Sequence, residues 1–217
     1  MTMWLKLDLD GIYFRFRIEK YKKSTKNNWD EEWCDLDLTL KSQEWLNYNI
    51  VSDEILLAFE VEKLCDKIEA LLSDKLNGPE IITCIEPDLE FHLYPKYDIR
   101  NNPDVVYVRP DSNTIVDVDM RLIVSFWHKN GGLTANQLIL AFNREDLEKL
   151  YCYLKYITGT ITEEDKTFQK LISEGIIYKE WKKEAVKKVN RGDVIARRIM
   201  WYNDFGQKEN DKKNRIK

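Results

Sequence analysis

Apolar and polar residues alternate with a period of two through most of the first fifty positions. Residues 4–9 and 12–18 form two such runs, and Asp10-Gly11 between them is a residue pair that tight β-hairpin turns favour. Two further runs cover residues 34–40 and 45–51. Because alternation of this kind turns one face of each strand towards a core, these segments predict a four-stranded antiparallel meander.

The apolar spacing changes to that of a helix after Ser52-Asp53, either of which could cap its first turn. Residues 54–76 carry apolar side chains three and four positions apart and precede Asn77-Gly78-Pro79, which predicts one long amphipathic helix. A second helix is predicted after Asn143, whose side chain can cap its first turn. The remaining runs predict strands at residues 81–85, 89–94, 105–109, 115–126 and 137–142.

Helical spacing replaces alternation after residue 160. Residues 162–175 predict one helix, and a second is predicted from Ile177 onward. The sequence therefore predicts an α+β fold. The predicted parts are an antiparallel β-sheet of roughly seven to nine strands with two packed helices (residues 1–159), a helical C-terminal appendage (160–203) and a disordered tail (204–217). Apolar residues 194–202 need cover, so we expect the appendage to dock on the body or on a second copy.

An acidic, aromatic segment leads from the second predicted strand into the third. Two indoles enclose three carboxylates, and alternation continues the carboxylates onto one side of the strand that follows. The simplest interpretation is a solvated outer face of the sheet, whose charges discourage pairing with other strands. The alternative is a partner-binding surface, because tryptophan is enriched where interfaces carry their energy. The residues of this acidic face are Trp29, Asp30, Glu31, Glu32, Trp33, Asp35 and Asp37.

The order of these motifs also resembles a known family. The chain has a Trp-Asp-x-x-Trp loop at residues 29–33, a Leu-rich helix at 54–76, a strand that opens Glu86-Pro87-Asp88-Leu89, and a helix after Asn143-Arg144-Glu145-Asp146-Leu147. Over residues 1–157 this order is similar to the WapI-type immunity proteins of bacterial polymorphic toxin systems. The resemblance implies an intracellular immunity protein that binds the C-terminal domain of a cognate toxin and neutralises it by steric and electrostatic occlusion.

Charge is distributed unevenly along the 217 residues. Residues 1–160 hold 19 basic and 28 acidic side chains, whereas residues 161–217 hold 15 basic and 10 acidic ones. An acidic body would complement a basic toxin such as a nuclease. The basic segment supports an alternative function, a nucleic-acid-associated module, but no nucleic-acid-binding motif accompanies it and nucleic acid is the less favoured partner. A homodimer formed through the appendage is a further alternative.

Candidates for catalysis are few. His92 and His128 are the only histidines, and each is most simply a surface residue of a strand. The four cysteines contain no short-spaced pair, which favours thiols packed in a reducing cytosol over a disulfide, a zinc site or a redox pair. Paired carboxylates such as Asp117 and Asp119 fit a solvated sheet face better than a cation site. We therefore expect a binding protein and not an enzyme, with no catalytic residue, no metal and no cofactor.

Composition and segment lengths point to a cytoplasmic location. With 43% apolar residues the chain can bury a core of ordinary size. The N-terminal residues enter a strand pattern directly and predict no signal peptide, and no apolar stretch reaches the length that a membrane span needs. We expect a globular protein without membrane contact.

Overall fold

The computed structural model of the protein describes residues 3–24, 32–101, 104–110, 112–127 and 132–180. Within this part of the chain the fold is α+β with antiparallel sheets, as predicted. The helices are α1 (Ala58–Leu72), α2 (Arg144–Ile157) and α3 (Lys166–Ser173). The strands are β1 (Met3–Leu9), β2 (Ile12–Glu19), β3 (Trp33–Ser42), β4 (Leu46–Leu57), β5 (Glu80–Thr83), β6 (Leu89–Tyr94), β7 (Tyr97–Asp98), β8 (Ile115–Val116), β9 (Asp119–Trp127), β10 (Leu133–Phe142) and β11 (Ile177–Lys179).

The strands of the described residues divide among three sheets. Sheet A has the order β11-β1-β2-β3-β4, sheet B has the order β10-β9-β6-β5, and β7 with β8 forms a two-stranded ribbon. The predicted single sheet of seven to nine strands is therefore wrong in its count and in its division. The two-stranded ribbon accounts for part of the difference in sheet organisation, because β8 pairs with β7 and not with a strand at residues 105–109. Residues 105–109, which the sequence predicts as a strand, form a loop.

Contacts between residues divide the chain into two compact units. The first comprises residues 1–124 and 139–181, and the second comprises residues 125–138 and 182–217. In the described part of the second unit, Gln137 Nε2 donates a hydrogen bond to Ser125 Oγ at 3.3 Å. The sites argued from described residues below lie in the first unit.

The inner face of sheet A carries a large part of the apolar core. Phe14 meets Phe142 edge-on with ring centroids 5.3 Å apart, and Phe16 meets Tyr153 at 6.1 Å. The inward residues that alternation predicts are at most 4% exposed, apart from the half-buried Ile12: Leu5, Leu7, Leu9, Phe14, Phe16, Ile18, Cys34, Leu36, Leu38 and Leu40. Since burial stabilises each large apolar side chain by about 1.5–3 kcal/mol, this face is a principal source of folding energy.

Tyr153 fixes helix α2 on sheet A. Its hydroxyl donates a hydrogen bond to the Met3 carbonyl at 3.2 Å and accepts one from the Ile18 amide at 3.0 Å. The side chain is fully buried, and burial raises the pKa of its phenol above the ordinary value, so the hydroxyl remains protonated. One phenol therefore joins β1, β2 and α2.

Helix α1 begins later than the sequence predicts. Residues 55–57 continue β4, paired with β3, and the helix begins only at Ala58. The carboxylate of Glu60, not Ser52-Asp53, serves the first turn, because its Oε2 accepts a hydrogen bond from the Leu57 amide at 2.8 Å. The sequence predicts a helix that begins too early. Because an apolar strand leads directly into the helix, its apolar residues fit the helical spacing as well.

Residues 160–180 join the first unit through α3 and β11. Phe168 is fully buried and stacks on Tyr156 with ring centroids 4.4 Å apart. Strand β11 pairs with β1, and the Lys6 amide donates a hydrogen bond to the Ile176 carbonyl at 2.8 Å. A strand therefore stands where a second helix was predicted to begin. The predicted docking of residues 194–202 and the predicted tail lie outside the described residues.

Replacing Phe168 by Ala should lower the free energy of unfolding by about 3–5 kcal/mol, because the change leaves a cavity beside Tyr156. Urea unfolding followed by circular dichroism measures the loss. Lys166→Ala, on the exposed side of the same helix, is the matched control and should change stability by less than about 0.5 kcal/mol. Equal effects of the two substitutions would show that α3 adds little to the core.

Arg144 links the start of α2 to the end of α1. Its guanidinium donates hydrogen bonds to Asp117 at 2.8 Å and to the Leu72 carbonyl at 3.4 Å, and it lies 4.0 Å from Asp74. The hydrogen bonds that Arg144 donates to Asp117 lower the pKa of this carboxyl from 3.8 to about 2. Since the folded pKa lies below the unfolded value, the pair stabilises the protein above pH 3.8 and loses that effect as the pH falls through 2.

Arg144→Gln should return the pKa of Asp117 towards 3.8, as NMR titration of its carboxyl carbon would show. The effect on stability at neutral pH should stay below about 1 kcal/mol, because both side chains are partly exposed and solvent screens the pair. Arg121→Gln on β9 is the control, and it should leave the pKa of Asp117 unchanged. An ordinary Asp117 pKa in the parent protein would contradict the Arg144 contact.

Candidate partner-binding surface

The acidic face predicted from the sequence is described only in part. Trp29, Asp30 and Glu31 lie outside the described residues. Glu32 is half-buried, and Trp33, the first residue of β3, is half-buried opposite Leu57 of β4. Trp33 lies directly before the run that the sequence predicts as a strand, and in the structure it is the first residue of β3; its role in binding stays a prediction.

Hydrogen bonds to α1 hold the described residues on either side of residues 25–31, where the sequence predicts a loop. Before the loop, the Ser24 amide and the Tyr21 hydroxyl both donate to Glu62 Oε1, at 2.8 and 2.7 Å. After the loop, the first amide of α1 donates to the Glu32 carbonyl at 2.9 Å. Burial acts to raise the pKa of Glu62, but the hydrogen bonds from Ser24 and Tyr21 outweigh it and the pKa lies below its ordinary value. The charged carboxylate therefore fixes where the loop leaves the scaffold.

Asp35 and Asp37 are not exposed, so the prediction that they form an outer acidic surface is wrong. They are 6% and 4% exposed. Asp35 pairs with Lys20 at 2.8 Å, and Asp37 Oδ2 accepts a hydrogen bond from Arg17 Nε at 2.6 Å. Alternation shows on which face of a sheet a carboxylate lies, but it does not show the basic side chain of a neighbouring strand that covers it. The two carboxylates complete ion pairs within sheet A.

The second oxygen of Asp37 stabilises a bulge in β4. The pairing register shifts between Leu36 and Leu38, so that Val51 and Ser52 both lie opposite Asp37. Ser52 has a φ of 47°, and its amide donates a hydrogen bond to Asp37 Oδ1 at 2.6 Å. A bulge leaves one amide without its usual strand partner, and here the carboxylate accepts that hydrogen bond.

Trp4 lies beside these ion pairs on the outer face of sheet A. The guanidinium carbon of Arg15 is 3.6 Å from the centre of its indole ring, and that of Arg17 is 4.4 Å away. Arg15 in turn contacts Glu180 and lies 5.6 Å from the ring of Tyr178 in β11. Trp4 is 6% exposed, whereas Glu180 at the margin of the cluster is exposed. The cluster joins β11 to β2.

Asp37→Asn should lower the free energy of unfolding by about 2–4 kcal/mol, because Arg17 would keep a buried charge with one partner fewer. Asp10→Asn is the matched control. Asp10 is exposed and has a φ of 51°, a conformation that asparagine tolerates. The substitution should therefore lower the free energy of unfolding by less than about 0.5 kcal/mol. Chemical denaturation measures both. A neutral Asp37→Asn would restore the interpretation of Asp37 as a surface residue.

Exposed carboxylates of sheet A lie at its hairpin turns. Ser42 Oγ donates a hydrogen bond to the Gly11 carbonyl at 2.8 Å, which holds the β3–β4 turn against the β1–β2 turn. Trp45, in the β3–β4 turn, is 63% exposed. This hairpin-end surface consists of Asp8, Asp10, Glu44 and Trp45. Sequence reasoning missed it because Trp45 precedes an apolar strand and alternation assigned the indole to that strand.

His92 is the histidine among the described residues, and it lies in β6. His92 Nε2 contacts Glu90, and its Nδ1 lies 3.4 Å from the hydroxyl of Tyr94, all three in one row of β6. His128 lies outside the described residues. Where the chain is described, no three His, Cys, Asp or Glu side chains converge in a way that could hold a metal ion.

The cysteines behave as packed thiols. All four are free, and Cys34, Cys65 and Cys152 are buried, in agreement with the prediction of small apolar side chains in a core. Burial raises the pKa of Cys34 to about 12 and the pKa values of Cys65 and Cys152 to about 11. These three thiols are therefore protonated at neutral pH and are poor nucleophiles.

Comparison with known families identifies the class of protein. A model of immunity proteins matches residues 5–160, from the first strand of sheet A to the end of α2. Because the match covers most of the chain, the protein belongs to the WapI-like family of immunity proteins, and the resemblance drawn from the sequence is confirmed. The comparison with curated proteins found no match. None of the three helices in the described residues has the length and apolar content that crossing a bilayer requires.

Proposed function

We propose that the protein is a cytoplasmic immunity protein that binds the C-terminal toxin domain of a polymorphic toxin system. It neutralises that domain by steric and electrostatic occlusion, and it acts by binding without catalysis. The observation that carries the proposal is the family match over residues 5–160. The raised pKa values of the buried thiols are consistent with a protein that has no reactive cysteine among those three.

The charge of the body supports a basic partner. Residues 1–160 hold 28 acidic and 19 basic side chains. Asp35 and Asp37 are neutralised within sheet A, so carboxylates elsewhere must supply the attraction. Asp8, Asp10 and Glu44 of the hairpin-end surface are exposed and can do so. Complementary charge speeds encounter with a basic protein such as a nuclease.

We assign direct partner contact to the loop part of the acidic face. Trp29, Asp30 and Glu31 supply an indole and two carboxylates, and Glu32 and Trp33 follow at the point where β3 begins. Loops held by a rigid scaffold commonly carry binding residues, and hydrogen bonds to α1 hold both ends of this loop. In this assignment Asp35 and Asp37 support β3 from within the sheet.

Coexpression with the toxin domain encoded beside the gene tests the function. Cells that produce this domain should survive only when the full-length protein is also present, and the two proteins should copurify in a stoichiometric complex. Survival without a complex would contradict neutralisation by binding. Absence of both survival and complex formation would refute the proposed function itself.

Asp30→Lys combined with Glu31→Lys should slow association with a basic toxin domain by about tenfold at low salt. The thermal midpoint should remain close to that of the parent protein, because the proposal places both carboxylates in solvent, where charges contribute little to stability. Surface plasmon resonance at two ionic strengths measures the rates. Glu164→Lys, an exposed acidic residue before α3, is the control for net charge. An equal effect of the control would move the attraction from the loop to the charge of the whole body.

The alternative function, nucleic-acid binding, draws on the basic residues 161–217, most of which lie outside the described part. Binding through phosphate contacts would weaken steeply as salt rises. Purified protein that retains nucleic acid at low salt, and loses it after truncation at residue 180, would favour this alternative over toxin neutralisation.

A further inference from the structure

The first half of β4 is an uncharged edge of sheet A. Residues 45–51, Trp-Leu-Asn-Tyr-Asn-Ile-Val, contain no charged residue and no proline, although 33% of the chain is charged. Edge strands usually carry charges, prolines or bulges that prevent pairing with another chain. This stretch, which we call the β4 edge, runs from Trp45, the last residue of the β3–β4 turn, to Val51, which precedes Ser52 of the bulge. Its six strand residues, 46–51, have no such protection.

Other edges in the described part of the chain differ from the β4 edge. Strands β11 and β5 have three and four residues, and each contains a charged residue. Strand β10 is long and uncharged, but it runs from the second compact unit into the first. The β4 edge is thus a long uncharged edge that lies wholly within one unit.

The sequence of the β4 edge is complementary to itself. Two copies can be aligned antiparallel so that the same central residue of each lies opposite the other, and every pair then matches in polarity. The facing residues are Tyr48 with Tyr48, Asn47 with Asn49, Leu46 with Ile50, and Trp45 with Val51. Directly opposed residues of antiparallel strands lie on the same face, so each pair would be in contact.

Neighbouring registers match less well. Centring the alignment on Asn49 sets Glu44 against Glu54, two like charges, and centring it on Asn47 sets Glu44 against the apolar Ile50. Like charges directly opposed across strands are unfavourable. The alignment on Tyr48 is therefore selected by both charge and polarity.

We propose that the protein forms a homodimer in which two β4 edges pair antiparallel about Tyr48. Leu46 and Ile50 are buried on the inner face of sheet A, whereas Asn47 and Asn49 are exposed on the outer face. The alignment pairs inner residues with inner residues and outer residues with outer residues, so the two sheets continue into one. Asn49 Nδ2 already donates a hydrogen bond to Asn47 Oδ1 at 3.2 Å, and the two-fold axis would place a second such pair beside it.

The dimer also covers the most exposed apolar side chains of β4 and its turn. Trp45 is 63% and Val51 is 65% exposed. In the proposed register each Trp45 faces Val51 of the second copy, at both ends of the paired segment. Removal of this apolar surface from water adds to the backbone hydrogen bonds that strand pairing forms. This inference does not depend on toxin binding.

A charge swap at two positions tests the register. Full-length protein should be dimeric in sedimentation equilibrium, and the double variant Asn47→Lys/Asn49→Lys should dissociate about tenfold more readily, because lysines would face lysines in two places. The double variant Asn47→Asp/Asn49→Asp should dissociate similarly. An equimolar mixture of the two variants should form a heterodimer, since Lys then faces Asp at each pair.

Controls distinguish the β4 edge from other surfaces. Ile139→Lys places a lysine on a β10 residue that is 56% exposed, and it should leave the dimer intact. Circular dichroism should show that all variants are folded. Parent protein that stays monomeric up to submillimolar concentration would overturn the proposal. This holds even if the β4 edge pairs with a strand from a toxin. A dimer that persists in both charged variants, fails to re-form in their mixture, or is lost only with residues 181–217 would also overturn it.

Discussion

The geometry of sheet A depends on the two hydrogen bonds that the Asp37 carboxylate accepts from neighbouring strands. One oxygen accepts a hydrogen bond from Arg17 of β2, and the other accepts one from the Ser52 amide of β4. The bulge at Ser52 lets β4 resume its pairing with β3 and continue to Leu57, after which α1 begins and Glu60 caps its first turn. The start of α1 in turn holds the end of the loop at residues 25–31. A side chain inside the sheet therefore helps to position Glu32, the described residue that follows residues 25–31.

Neutralisation inside the sheet also decides which charges can act on a partner. Arg17 is shared by Asp37 and Glu19, and its guanidinium lies over Trp4, so these charges have little field outside the sheet. A count of acidic residues along the chain overestimates the charge that a partner meets. The exposed carboxylates at the hairpin turns are better placed to attract a basic protein, since solvent-facing charges steer diffusing partners.

Alternation was sufficient to predict the inner faces of β1, β2 and β3, because a strand with one buried side has a fixed period. It failed for Asp35 and Asp37, because burial of a carboxylate depends on a basic residue of another strand and sequence spacing does not reveal that partner. Helical spacing failed at residues 55–57 for a related reason, since three apolar residues in a row fit a buried strand as well as a helix. Trp29, Asp30 and Glu31 lie outside the described residues, so their part of the predicted site stays a prediction.

The two edge strands of sheet A, β11 and β4, differ in length and charge, and this difference affects how the protein can associate. The family match ends at residue 160, yet β11 at residues 177–179 pairs with β1 and covers what would otherwise be an open edge. Strand β11 is short, ends in a lysine and is held by the contact of Arg15 with Glu180, so it offers little to another chain. On the opposite side, the bulge at Ser52 guards only the second half of β4, where Asp53 and Glu54 add charge. If another molecule pairs with sheet A, the uncharged half of β4 is therefore the edge that the proposed dimer would use.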